Sequence, residues 1–412
     1  MVSGRQHPSL NTEGTLVFRS PIPKASSKDP PVMEPRVTVA TTEPSRFEKF
    51  GLYYLDLFSR GQADRRAFES TDAEISRKVA KITAMGVILS SLVGIIFVYP
   101  IVLADLKIPN DPAWNHYLWV GVVTIVATLF EFYFLFYISL RAVHQVSGLV
   151  HLKEHHHESL CGGLFAVRNL LARAALEIED PELRILGIDP FKRISRKNLL
   201  VLGLLYKGKI IASNLIFKAV LRYAVGSQVF GFSILYIAIP VEIFWNSVVI
   251  RKVIHEARLR VFGYALAGRI ADAVKHDGYL EHLSHDARNG CLRAIGNAVV
   301  MTQNYHPNMV ILLLRFQELM EIREGDRFDD WTSFLETLNS IPAPERFFLL
   351  DLLTVAAAFD GKLSKLERTH MREAYQDDRE VYMKRLRALS HHLKHGRLNA
   401  AYELCQLDCV RG

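Results

Sequence analysis

Cysteine is scarce in this chain: Cys161, Cys291, Cys405 and Cys409 are scattered over 412 residues. That spacing excludes a disulfide-stapled fold, and free thiols facing a reducing compartment are the expectation. The patterns that carry common chemistries are missing too. There is no HExxH, no glycine-rich phosphate loop and no nucleophile beside its base. "HDARNGCLRAIG" holds His285, Asp286 and Cys291 close together, but a helix would not assemble them into a nucleophile and its base. An enzyme is therefore not expected. Residues 1–45 lack the apolar core of a secretory signal and are rich in Pro, Ser and Thr, so they read as a disordered cytoplasmic tail.

What the chain does have is an apolar surplus, 50% of its residues, gathered into a few uninterrupted blocks. The net charge of +7 comes from Lys and Arg beside those blocks. That placement suits membrane orientation, so a lipid bilayer is the expected partner and nucleic acid is not. "ITAMGVILSSLVGIIFVYPIVLA", 82–104, carries no charge over 23 residues, enough for a crossing that needs about 20. "YLWVGVVTIVATLFEFYFLFYISL", 117–140, forms a second span, with Tyr117 and Trp119 as interfacial anchors. Arg77, Lys78 and Lys81 precede this hairpin and Arg141 follows it, which places both its ends in the cytoplasm. Residues 46–81 before it read as an amphipathic juxtamembrane segment.

A second membrane region covers 199–250. "VFGFSILYIAIPVEIFWNSVVI", 229–250, is long enough to span, with Pro240 as a kink and Glu242 as its one charge. Ahead of it, 199–225 is apolar but contains Lys207, Lys209, Lys218 and Arg222. Lys207, Asn214, Lys218 and Arg222 fall within about 80° of a helix. That cationic stripe either lies among headgroups or spans and turns toward protein or water. Basic runs on both flanks, "KRISRK" and "RKVIHEARLR", favour an even number of crossings, hence a second hairpin with the C-terminus cytoplasmic.

Glu131 lies mid-span in "LFEFYF", where an unpaired carboxylate costs several kcal/mol. Lys218 is its expected partner by depth, and Lys209 or Lys207 that of Glu242. Such pairs either form a polar path through the bundle or fix how the hairpins dock. The histidines and cysteines come in incomplete sets: His151 with His155 near Cys161, His391 with His395, Cys405 with Cys409. Each is two ligands short of a closed zinc site.

Residues 141–198 contain a helix, "GLFAVRNLLARAALEIED", ended by Pro181, with Pro190 as a further break. From 251 to 412 a helical domain follows, broken at Pro307, "GDRFDD", Pro342, Asp360-Gly361 and Gly396. Leu349, Leu352, Leu353, Ala356 and Phe359 supply a core stripe. In "SKLE", Ser364 and Glu367 have the spacing of a capping box after the glycine stop at Gly361.

Two resemblances add to this. "LARAALEI", "GIDPFKRISR" and "FWNSVVIRKVIHEARLRVFG" resemble a family of bacterial integral membrane proteins with no assigned function. "ADAVKHDGYLEHLSHDARNGCLRAIG" and "AAAFDGKLSKLERTHMREAYQ" each place Leu two residues after Asp-Gly, and over about 262–395 the chain resembles the TerB-like family named for tellurite resistance. The resemblance implies an all-helical module with a divalent cation held by Asp277, Asp360 and Glu367. Ser284 stands where the first copy should have its acid, with Glu281 and Asp286 nearby.

The expectation is therefore an all-α bacterial inner-membrane protein with two transmembrane hairpins and a cytoplasmic TerB-like bundle. Its expected role is a homo-oligomeric scaffold or sensor tying a cytoplasmic protein partner, or a signal of envelope, metal or oxyanion stress, to the membrane. The competing expectation is an oligomeric channel or transporter whose polar path uses Glu131, Glu242 and the cationic stripe.

Overall fold

The computed structural model describes residues 45–59, 71–108, 113–150, 165–178, 180, 188–189, 234–302, 306–322 and 327–407, and every regular element among them is helical. Residues 1–44 of the tail expected over 1–45, the His151–Cys161 stretch, Pro181, Pro190, the stripe of Lys207, Lys209, Lys218 and Arg222, and Cys409 lie outside the described residues.

The two expected spans fall inside longer helices, α2 (Asp72–Lys107) and α3 (Ala113–Ser147). Thr71 starts α2 by accepting a hydrogen bond from the Glu74 amide. Both helices are long and apolar enough to cross a membrane. Their apolar residues do not form the core of a soluble fold: only 28% of the most apolar window of α2 and 11% of that of α3 is buried. Ile88, Ile96, Ile125, Leu129 and Phe130 all point outward. An apolar surface of this extent marks a site of contact with protein or membrane.

Helix α1 (Arg46–Ser59) precedes them and packs on α4 (Val167–Leu176), with Gly51 against Ala172 and Leu176. A buried ion pair, Glu48 to Arg173 at 2.8 Å, closes that contact.

The next helix, α5 (Ile234–His276), runs 43 residues without a break, about 65 Å. Its first part packs in a groove of α2 and α3, and its second part is a core element of the helical domain, with Val261, Phe262, Leu266 and Ile270 buried. The domain boundary expected at 250/251 thus falls inside a continuous helix. No proline lies between Pro240 and the Gly278 turn that ends it, and Gly263 and Gly268 are accommodated within the helix.

Around α5 are α6 (Tyr279–His282), α7 (His285–Thr302), α8 (Pro307–Met320), α9 (Trp331–Ser340), α10 (Ala343–Ala358), α11 (Lys365–Tyr375), α12 (Arg379–His395) and α13 (Leu398–Glu403). Many of their ends fall at the proline, Asp-Gly and glycine breaks read from the sequence, but the divisions between α6 and α7 and between α11 and α12 do not. His306 caps α8 ahead of Pro307, and Asp330 caps α9 through the Thr332 amide. Leu349, Leu352, Leu353, Ala356 and Phe359 are fully buried. Cys291 and Cys405 are buried and form no disulfide.

The helical domain also grips the start of α2. Asp72 accepts from the amides of Asn399 and Ala400 at 2.9 and 3.0 Å, capping α13 with a residue more than 300 positions away.

Asn308 locks α8 to its neighbours. Its amide donates to the Leu259 carbonyl of α5 at 2.9 Å and to the Phe359 carbonyl at the end of α10 at 3.1 Å. Gly263 makes room for it, since a Cβ there would collide with the Asn308 side chain. Gly263→Ala is expected to destabilise the protein by about 1–3 kcal/mol through overpacking. A thermal melt of the detergent-solubilised variant checks this, and an unchanged midpoint would refute the tight fit.

Candidate functional site

Three groups of polar residues interrupt the apolar interior, and they occupy different levels of the molecule.

The first lies between α2, α3 and α5. Glu131 on α3 and Glu242 on α5 are both buried, and Glu131 bonds to Asn246, which lies one turn beyond Glu242 and is 1% exposed. Asn246 Nδ2 donates to Glu131 Oε1 at 3.1 Å and to the Ser90 carbonyl of α2 at 3.3 Å. Ser91 and Ser247 meet across the same interface at 3.3 Å. Gly94 completes it: a Cβ there would lie 2.7 Å from Asn246 Nδ2 and 3.3 Å from Glu242 Cβ. Gly86, Ser90 and Gly94 thus form a four-residue repeat of small side chains that lets α5 approach α2 closely. Lys207, Lys209 and Lys218, the partners expected for these acids, lie outside the described residues. Chemically the cluster offers two carboxyls, an amide and hydroxyls to a proton or to one another. Interhelical hydrogen bonds of this kind contribute roughly 0.5–2 kcal/mol each.

The second group lies about three to four turns further along α5. Arg260 is buried and binds Asp180 through both guanidinium nitrogens at 2.9 and 2.7 Å. It also donates to the Leu170 carbonyl at 3.2 Å and to Glu256 at 2.9 Å. His306 Nε2 lies 3.5 Å from the same Glu256 oxygen. Burial disfavours the guanidinium charge, but Asp180 and Glu256 outweigh it and hold Arg260 above its ordinary value. At Glu256 burial likewise opposes ionisation, and His306 with Arg260 overcomes it, so its carboxyl is held below the usual range. This network joins α4, α5 and the start of α8 at the base of the apolar sector.

The third group is the second Asp-Gly corner. Gly361 takes φ +67°, which favours glycine, and Asp360 Oδ1 accepts from the Lys362 amide at 2.8 Å. Ser364 and Glu367 form the capping box, and Ser364 Oγ also donates to the Met301 carbonyl at 3.2 Å. Glu367 is fully buried, and desolvation, with repulsion from Asp360, pushes its carboxyl up to about 7 against the backbone hydrogen bond from Ser364.

The first Asp-Gly corner differs. Gly278 has φ +71°, but one turn of helix, α6, intervenes, so Ser284 is the residue immediately preceding α7 and its Oγ accepts from the Ala287 amide at 3.2 Å. The carboxylate comes from another helix: Glu345 of α10 accepts from Ser284 N and Oγ at 2.9 and 2.6 Å. Glu281 and Asp286 are exposed. Asp277 is exposed beside His276, whereas Asp360 and Glu367 are buried. Among the described residues no group of three or more His, Cys, Asp or Glu side chains is placed to hold a metal ion, so Asp277 does not join the other two in such a set. His391 and His395 do meet, their rings stacked at 4.0 Å on the exposed face of α12, and the neighbouring His395 holds His391 below its ordinary value.

No protein-family profile matches the chain, and neither a curated protein nor a solved structure shows significant similarity to it.

Asn246, Ser90, Arg260, His306 and Glu345 escaped the sequence reading. The spacing of Gly86, Ser90 and Gly94, and an amide inside "IFWNSVV", were available signals for the first group. Nothing local marks Asp180 as a partner of Arg260 or Glu345 as that of Ser284, which lie 80 and 61 positions away.

Proposed function

We propose that the chain is a multi-pass bacterial inner-membrane scaffold or sensor, with its termini and a TerB-like helical module in the cytoplasm. One observation carries this reading: α5 belongs at once to the apolar sector and to the core of the helical domain. A displacement of that helix within the bilayer would be transmitted to the domain, because Arg260 and Asn308 clamp it on two sides. In this reading the Glu131–Asn246 cluster is interhelical glue, the cytoplasmic partner is a protein, and assembly is as a homo-oligomer.

The second reading, an oligomeric channel or transporter, is favoured by Glu131 and Glu242 being buried inside the sector. Reconstitution into proteoliposomes with the Glu131→Gln variant separates the two. The scaffold reading expects no ion or proton flux above that of empty vesicles for either protein, and a melting temperature for Asn246→Leu several degrees below wild type. Wild-type flux that disappears in Glu131→Gln would replace the scaffold with a transport path.

A further inference from the structure

Helix α1 reads from its sequence as a juxtamembrane segment, yet its contacts place it higher. Phe50 meets Tyr133 with ring centroids 6.2 Å apart, and the Tyr54 hydroxyl bonds that of Tyr133 at 2.7 Å. Further along, Tyr54 and Phe58 pack on Tyr137 at 5.7 and 5.6 Å, and Phe58 on His144 at 5.8 Å. As α1 advances from Phe50 to Phe58, its partners on α3 advance from Tyr133 to His144. The two helices therefore run side by side in the same direction. Since both rise about 1.5 Å per residue, Phe47 comes level with about Phe130, well inside the apolar stretch that precedes Arg141.

The two sides of α1 differ. One side is closed by protein: Gly51 and Leu55 are buried, and Glu48 pairs with Arg173. The opposite side leaves Tyr53 about 65% and Leu57 about half exposed, and Phe47, in line with Phe50 and Tyr54 on the side toward α3, is about 65% exposed at the start of the helix. Over the same stretch α3 exposes Phe130, Tyr133 and Phe134. Such exposed aromatic residues on α1, beside a helix whose own exposed face marks a contact with protein or membrane, have a defined occupant.

We propose that α1 is a half-inserted helix whose first turns enter the cytoplasmic leaflet, with Phe47 and Tyr53 against phospholipid acyl chains and Leu57 at the headgroups. Because α1 is pinned to α4, and α4 to α5 through Arg260, the leaflet is connected to the helical domain by packed contacts. The inference rests on the membrane reading above and adds a lipid contact to it.

The test is spin labelling of the full chain in phospholipid nanodiscs. Single cysteines replace Phe47, Tyr53 or Leu57 in a background with the native cysteines changed to alanine, and Leu129→Cys on α3 serves as the span reference. Collision with dissolved oxygen is compared with collision with a water-soluble nickel chelate. The expected result is a gradient, the oxygen-to-nickel ratio being several-fold higher at position 47 than at 57, with 53 between them. A label at 129 in lipid with 47, 53 and 57 all in water overturns the inference and leaves the membrane reading standing. Labels at 47 and 53 shielded from both reagents would show a second protein surface there, which also overturns it. Water exposure at 129 would overturn both.

Discussion

Replacing Arg260 with methionine is expected to destabilise the protein by about 3–5 kcal/mol, the cost of leaving buried carboxylates without their cation. The side chain is 8% exposed and Asp180 10%, and the guanidinium also satisfies the Leu170 carbonyl and Glu256. Methionine fills much of the volume but none of these contacts. The thermal midpoint should fall, and the amides of α4 should lose hydrogen-exchange protection first, because Arg260 is what holds that helix to α5. Lys252→Met is the control. Lys252 pairs with Glu177 at 2.6 Å on the same two helices, but its side chain is 52% exposed. An exposed pair is worth about 0–1 kcal/mol, so this variant should melt near wild type. Equal effects from both substitutions would mean that α4 is held by apolar packing alone.

Glu367 gives the second large effect, and it depends on pH. Its ordinary value of 4.5 is raised to about 7 in the folded protein, first by desolvation and then by Asp360. The folded state therefore keeps a proton that the unfolded chain releases. Stability falls as pH rises from about 4.5 to about 7, and above that window the loss stays constant at no more than about 3 kcal/mol. Glu367→Gln removes the charge and keeps an oxygen to accept the Ser364 amide. At pH 8 the variant should be more stable than wild type by roughly 1–3 kcal/mol, and near pH 4.5 the difference should vanish. Denaturant titrations at the two pH values measure this. A variant less stable than wild type at pH 8 would show that the buried carboxylate is held by favourable interactions that outweigh its desolvation.

The features legible in the sequence were those whose cause is local. Uninterrupted apolar runs specified α2 and α3, and Pro307, Pro342, Gly361 and Gly396 specified where helices of the domain begin or end. Ser364 and Glu367 could be read as a capping box because the two residues are three positions apart. The partners of polar side chains could not be read in the same way. Glu131 and Glu242 stood out as charges in apolar surroundings, but the partner of Glu131, Asn246, is uncharged and looks unremarkable in a span. At the first Asp-Gly corner, the extra turn of α6 shifts the helix start. The carboxylate for Ser284 is then supplied by Glu345, a tertiary choice that no spacing rule encodes. The continuity of α5 was hidden for another reason: near residue 250 the side chains change from an apolar run to one rich in Arg, Lys and Glu, while the backbone helix does not change.

The central claim is that the outward apolar faces of α2 and α3 lie in a bilayer and that α5 carries the helical domain from it. The most direct measurement is flotation of the full chain, expressed in bacteria, on a density gradient after the membranes have been washed with alkaline carbonate. The account predicts that the chain floats with the lipid fraction of the inner membrane. Recovery in the carbonate supernatant, or sedimentation without lipid, would contradict it.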